Sequence, residues 1–405
     1  SRDGDLVLSL SYHGQDESRV RTRNDGRTDV QGTNVGTLGA WGQLSIAARS
    51  GTWTFGAEAY HDEVDSYRND FNADGSFRSS AIQGPVADDA SYLTAGLFVQ
   101  NQVTIGEKTD LVTGIRFTQS SVDADSVQDP QTGTRIAIED SWNDVTGSIR
   151  VSQRISAHDD TRIYAGVSQG FRAPNLSDLT RFDSARSNEI EIPVSGLDAE
   201  RFVTYEIGLK NVRANLDVQV SAYYTSIDDL IVRTPTGRIV DSEIEITKQN
   251  SAGGYVKGFE FQARYRVAGN WDLYGNLTWM DGVVDTFPTS DTAVVREPKD
   301  RMMPFTVWLG ALWQPADSDY WAEGVIGVSD RQDTLSSRDR ADTDRIPPGG
   351  TPGFTVLTVR GGWQFSDQLG LSVSLSNIFN EDYRIHGSGL NEPGRNVVVS
   401  IFWSP

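Results

Sequence analysis

Cysteine is absent from this sequence, so disulfide staples, thiolate metal sites and cysteine nucleophiles are excluded. No stretch approaches the roughly 18 consecutive apolar residues that a membrane-crossing helix requires, which excludes a helical membrane protein. Histidine is scarce: His13, His61, His158 and His386 fall in four separate loops or strand ends, with no nucleophile and base spaced around any of them. Adjacent acids such as Asp62-Glu63 and Asp228-Asp229 are what 56 Asp and Glu residues produce on solvated loops. The chain is therefore read as a non-enzyme that carries no cofactor. Basic clusters interleaved with aromatics are also missing, and a net charge of -20 repels phosphate backbones, so nucleic acid is not an expected partner. The chain opens on Ser1-Arg2-Asp3 without a basic and apolar leader pattern, and is read as a piece lacking its beginning.

What the sequence does have is period two. Leu216, Val218, Val220, Ala222 and Tyr224 share one face, and Asp217, Gln219, Ser221 and Tyr223 the other. Trp271, Leu273, Gly275, Leu277 and Trp279 repeat the pattern with tryptophan at both ends of the apolar face, as interfacial aromatic bands would. Further apolar faces run through Phe305, Val307, Leu309, Ala311 and Trp313, and through Leu93, Ala95, Leu97 and Val99. A mean hydropathy of -0.41 agrees with strands that are apolar on one side and wet on the other. About sixteen such strands are expected, most near the 9 to 11 residues that cross a bilayer obliquely.

The connections alternate. Compact turns fall near Ser50-Gly51, Gly106-Glu107-Lys108, Ala157-His158-Asp159, Arg213-Ala214-Asn215, Ala268-Gly269-Asn270, Pro315-Ala316-Asp317 and Ser366-Asp367. Between them lie polar loops near 14–34, 64–91, 123–140, 171–200, 228–254, 283–301, 331–352 and 380–394. Short turns at one end and long loops at the other are the asymmetry of an outer-membrane barrel. A soluble all-β sandwich would instead turn every 8 to 12 residues or so without that alternation. The expected fold is thus all-β, an antiparallel transmembrane β-barrel, with residues 1–405 forming a single barrel domain.

Tyr164-Ala-Gly-Val-Ser-Gln-Gly-Phe-Arg-Ala-Pro-Asn175, Thr204-Tyr-Glu-Ile-Gly-Leu-Lys210, Val256-Lys-Gly-Phe-Glu260, Ser376-Asn-Ile-Phe-Asn-Glu-Asp-Tyr-Arg384 and Pro393-Gly-Arg395 occur in that order. Together they resemble the TonB-dependent outer-membrane receptor family over most of the chain. The positions that carry the resemblance are Phe171, Arg172, Ala173, Pro174, Tyr205, Glu206, Gly208, Gly258, Glu260, Asn377, Tyr383, Gly394 and Arg395. It implies that this chain is the C-terminal part of a barrel of about 22 strands, closed by an N-terminal plug that is not in this sequence. It also implies uptake of an iron chelate across a Gram-negative outer membrane, coupled to the TonB complex through that plug, with lipid and lipopolysaccharide around the strands. Sixteen is itself an allowed even number, which keeps open a smaller closed barrel, and with it a passive porin or an adhesin. The family usually ends on an aromatic residue, whereas Trp403 is followed here by Ser404-Pro405.

Physical readings stand beside these motifs. Gly208, Gly258 and Gly310 mark strand positions where curvature, a bulge or a bulky neighbour leaves no room for a side chain. Pro174 and Pro393 sit at strand ends, where the missing N–H costs little. The haem-binding subgroup of the family carries a second box and a histidine between the two; here 175–200 contains no histidine, and the second box is replaced by Ser195-Gly-Leu-Asp-Ala-Glu200. A ferric siderophore is therefore expected ahead of haem. Candidate ligand contacts on the outer loops are Arg172, Arg181, Tyr383, Arg384 and His386. Asp70, Asn72 and Asp74 match the first half of a calcium loop, but its ninth and twelfth positions are Arg78 and Ala81, so a plain turn is the favoured reading.

Overall fold

The computed structural model describes residues 4–156, 160–186, 189–240, 242–251, 253–267, 270–288 and 291–404. His158, with its expected turn, and part of the expected turn at 268–270 lie outside the described residues. In chain order the elements are β1 (Gly4–Thr22), β2 (Thr28–Ala48), β3 (Gly51–Phe71), β4 (Phe77–Ser80), β5 (Asp88–Ile105), β6 (Thr109–Gln128), β7 (Arg135–Arg154) and β8 (Asp160–Arg172). Next come α1 (Leu176–Thr180), β9 (Asp183–Arg186), β10 (Glu189–Glu191), β11 (Glu200–Val212), β12 (Leu216–Asp228), β13 (Ile231–Val240), β14 (Glu243–Asn250), β15 (Gly254–Val267) and β16 (Trp271–Thr286). Last are β17 (Val295–Pro298), β18 (Thr306–Trp313), β19 (Tyr320–Ser329), α2 (Ser337–Ala341), β20 (Phe354–Ser366), β21 (Leu369–Ser376) and β22 (Asn396–Trp403).

Eighteen strands form one antiparallel sheet. Without the short β4 and β17, sixteen remain, each hydrogen-bonded to the next in an up-and-down meander. Among the described residues β1 and β22 are not paired with each other. A second sheet, β13-β14-β10-β9, is built from the two connections that follow β8 and β12, and its β10–β14 pair is parallel.

The two faces of the wall differ as the alternation requires. One is apolar and open, with Leu97, Phe117, Ile149, Leu273 and Leu309 exposed. Near the short turns it carries a band of contacting aromatics: Trp271 lies 6.4 Å from Trp313, and Trp313 6.0 Å from Tyr320. The other face is polar and carries two repeated devices. Arginines meet carboxylates across strands, as in Arg116–Glu58, Arg264–Asp272 and Arg150–Glu206, the last at 2.7 Å. Aromatic rings lie over glycines: Tyr164 pairs with Gly208, Tyr223 with Gly258 and Tyr274 with Gly310. A Cβ at these glycines would meet the tyrosine side chain at 2.4, 2.4 and 2.1 Å, and at Gly208 the Val220 carbonyl oxygen at 2.5 Å as well, so the close neighbour leaves room only for glycine.

The front outer connections depart from expectation. Residues 14–34, 64–91 and 123–140 are largely strand rather than loop, because β1 to β3 and β5 to β7 continue well past the apolar segment, with register kept through Asp16↔Asn34 and Val20↔Val30. Above the apolar band both faces are wet, so pairing continues where no apolar alternation announces it. The 21 residues of β2 reach about 70 Å along the strand, about twice what the apolar band needs even when tilted.

The core of the molecule lies where the long connections fold back, not in the middle of the wall. Val64, Ala87, Val122, Val127, Trp142, Leu179, Leu197 and Ala199 are buried together there.

Candidate ligand-binding site

The loop end is organised around the segment after β8. Ala173 and Pro174 are buried, and the Pro174 carbonyl accepts the Tyr92 hydroxyl at 2.9 Å. Pro174 cannot donate to the ladder, so the strand ends there. Asn175 then starts α1 with a reciprocal cap: its side chain accepts from the Asp178 N–H at 2.8 Å, and the Asp178 carboxylate accepts from the Asn175 N–H at 3.1 Å. The short helix drives Leu179 and Thr180 fully into the loop-end core, where Thr180 Oγ1 accepts from the Ala87 N–H at 2.9 Å.

Acids from this segment lie buried among cations from four directions. Asp178 accepts from Arg172 at 2.7 Å and from Lys248 at 2.8 Å. Burial pushes the Asp178 carboxyl up, but Lys248 and Arg172 outweigh it, and the carboxyl sits below its ordinary range. Glu200 is bonded to Arg172 and accepts from the Ile231 N–H at 2.9 Å. Glu191 is ion-paired with Arg233, with Lys248 at 3.3 Å and with Arg181 at 3.6 Å. Asp183 receives Arg19 through both carboxylate oxygens at 3.0 Å. The second sheet is thereby locked over the end of the wall.

Beside this lock opens a cavity of about 920 Å³, walled by β13, β14, the end of β16, β17 and the chain around α2. Its cations are Arg233, Lys248, Lys299, Arg301, Arg338 and Arg345. Its acids are Asp178, Glu189, Glu297, Asp300, Asp342 and Asp344, and Ile231, Val232, Ile244 and Val284 add apolar wall. The mixture suits a ligand with both polar and apolar surface.

The structure scatters the residues singled out from sequence. Arg172 braces the α1 segment through Asp178 and Glu200. Arg181 lines a smaller cavity of about 270 Å³ with Arg19, Asp183 and Gln31. Tyr383 packs on Phe354 with ring centroids 4.5 Å apart, and burial raises its hydroxyl pKa. Arg384 donates to Asn391 at 2.9 Å and to the Arg345 carbonyl at 3.4 Å. His386 is buried with Nδ1 2.9 Å from Thr351 Oγ1; burial lowers its pKa, Asp339 acts against that and Arg301 with it. These last three hold the final connection against the chain that walls the large cavity.

The other motif positions are structural in their contacts. Glu206 pairs with Arg150, and Asn377 takes a left-handed backbone (φ 49°) and accepts from the Glu381 N–H at 2.8 Å. Arg395 donates to the Ile378 carbonyl at 2.8 Å, while a Cβ at Gly394 would meet Asn380 Oδ1 at 2.9 Å. Tyr205 is exposed on the apolar face. Asp74 accepts from the Ser76 N–H and hydroxyl, which lower its pKa, Asn72 donates to Ser76 and Asp70 pairs with Arg68, so these oxygens serve their own turn. Among the described residues no group of three or more His, Asp or Glu is placed to hold a metal ion.

Lys248, Arg233, Arg301 and Asp342 were not singled out from sequence. The available signal was the alternation Glu243-Ile244-Glu245-Ile246, a two-faced strand inside what reads as a loop.

A meander wall with one apolar face, an aromatic band and long connections folded into a body at one end defines the receptor type of transmembrane β-barrel. Residues 2–380 match the family described as TonB dependent receptor-like, beta-barrel, and the chain belongs to it. The pesticin receptor of Yersinia pestis is 25% identical over 326 residues, covering 75% of this chain and 42% of that receptor. Among solved structures, the copper transporter OprC superposes with a TM-score of 0.79 at 18% identity, over 98% of this chain and 62% of that one. The ferric yersiniabactin uptake receptor FyuA from Yersinia pestis gives 0.68 at 15% identity, over 99% and 58%. The matched part thus spans less than half the length of the pesticin receptor. Its family is located in the Gram-negative outer membrane and consists of receptors and transporters, not enzymes.

Proposed function

We propose that residues 1–405 are the barrel domain and ligand-capturing end of a TonB-dependent transporter that takes up an iron chelate, a ferric siderophore ahead of haem, across the outer membrane. The observation that carries this reading is the cavity of about 920 Å³ folded from the long connections at one end of a wall of this family. An open diffusion channel needs no such body across its mouth. In this reading the energy arrives from the TonB complex through a plug in the parent protein, and lipid and lipopolysaccharide surround the apolar face. Arg181 is offered to the ligand from the smaller cavity, Arg172 braces the α1 segment, and Tyr383, Arg384 and His386 hold the final connection in place.

The test is growth under iron limitation of a strain lacking the parent gene, restored with the parent protein, across ferric siderophores, haem and cobalamin. Growth restored by a ferric siderophore supports the proposal. Growth restored by haem or cobalamin alone, or by none of the three classes, overturns it.

A further inference from the structure

The charge of the large cavity points to one class of chelate. Its lining carries six basic and six acidic side chains, a net charge of zero, inside a chain of net charge -20. Five of these cations are moreover already paired with carboxylates, and Arg338 reaches the Arg233 carbonyl at 3.5 Å. Arg301 and Arg345 share Asp342, Arg345 at 3.1 Å. Lys248 holds Asp178 at 2.8 Å, Arg233 holds Glu191, and Lys299 lies 3.5 Å from Asp300. Burial pushes the Asp342 carboxyl up, but Arg301 and Arg345 more than reverse it, so the carboxylate stays charged.

A multiply charged anion entering this space meets no net positive potential and the repulsion of the whole chain. It gains one of those five paired cations only by displacing a carboxylate such as Asp342, whose side chain is 10% exposed, and would leave that charge buried without its partner. A ligand with no net charge, or with both signs in balance, hydrogen-bonds to existing pairs without breaking them.

We propose that the cavity selects iron chelates of net charge near zero, such as ferric trihydroxamates or balanced amino-carboxylate chelates, and rejects trianionic ferric tris-catecholates. This inference rests on the uptake reading above and adds the charge class of its substrate.

The experiment is quenching of tryptophan fluorescence in the purified full chain in detergent. The probes are ferrichrome, an uncharged ferric trihydroxamate, and ferric enterobactin, a trianionic tris-catecholate. Ferrichrome is expected to bind at least about tenfold more tightly, with little change between roughly 50 and 200 mM salt. Asp342→Asn removes one negative charge and releases two arginines, and should narrow the preference. Asp344→Asn makes the same charge change at an exposed carboxylate of the same lining, and should narrow it less. Ferric enterobactin binding as tightly as ferrichrome, or a preference unmoved by both substitutions, overturns the charge inference and leaves uptake standing. Failure of the wild-type chain to bind either probe overturns the charge inference, and together with no growth on any chelate it overturns the uptake reading as well.

Discussion

Two halves of one meander treat their outer connections in opposite ways. From β1 to β7 the wall strands run 18 to 21 residues, and two of their three outer connections close in tight hairpins, such as the turn in which Gly26 (φ 83°) donates to the Arg23 carbonyl at 2.9 Å. From β18 to β22 they run 8 to 13 residues, and the chain saved folds back across the end. Proline separates the regimes: two of the fourteen lie in residues 1–170 and twelve beyond. A polar arm free of proline keeps its ladder and rises as strand. An arm that meets Pro174, Pro288 or Pro347-Pro348 loses donors, stops pairing and must satisfy its backbone by folding on its neighbours. The first regime makes height, and the second makes a cavity.

The sharpest way to break that contrast is to remove the charge that locks the folded half. Glu191, 1% exposed in its side chain, faces Arg233, Lys248 and Arg181, so Glu191→Ala strands cations and should cost about 3 to 5 kcal/mol locally. Hydrogen exchange should rise across α1, β13 and β14 while the β1 to β7 hairpins keep their protection; equal loss in both halves would refute separate regimes. Next in size is the wall they share. Gly258→Leu drives a side chain into Tyr223 and should destabilise by about 1 to 3 kcal/mol. Adding Tyr223→Ala should restore most of the loss in thermal melts, and no rescue would mean that the ring is not the constraint.

The smallest effect is pH. His386 carries a lowered pKa when packed, so the opened connection binds the extra proton: packing is full above about pH 6.5 and weakens as pH falls below it. Protection in residues 377–395, with the intrinsic slowing of amide exchange at lower pH divided out, should fall by at most about tenfold per pH unit, and His386→Gln should flatten the profile. An unchanged profile in that variant would assign the effect to another group.

The wall was legible from sequence because one side of each strand is apolar and the other wet, and that pattern survives in a single chain. The tall hairpins were not, since Asp16, Asn34 and their neighbours are wet on both faces and paired extension there leaves no alternation to read. The candidate contacts were legible only as residue types. Arg172 announces a cation, but its engagement with Asp178 and Glu200 depends on where α1 turns, and the Asn175–Asp178 cap that fixes this is two ordinary polar residues until the backbone is seen. The cavity joins segments more than 160 residues apart, from Asp178 to Arg345, and no local spacing encodes such a meeting.

The unequal strand lengths have a consequence for traffic. With β2 reaching about 70 Å along its axis and β22, of 8 residues, about 26 Å, the end of the wall is a fence on one side and a sill on the other. The cavity belongs to the sill side, between β13, β17 and α2. In the uptake reading proposed above, a small chelate can arrive from any direction, but a bulky visitor must come over the low side, and whatever binds the tall hairpins stands away from the entrance.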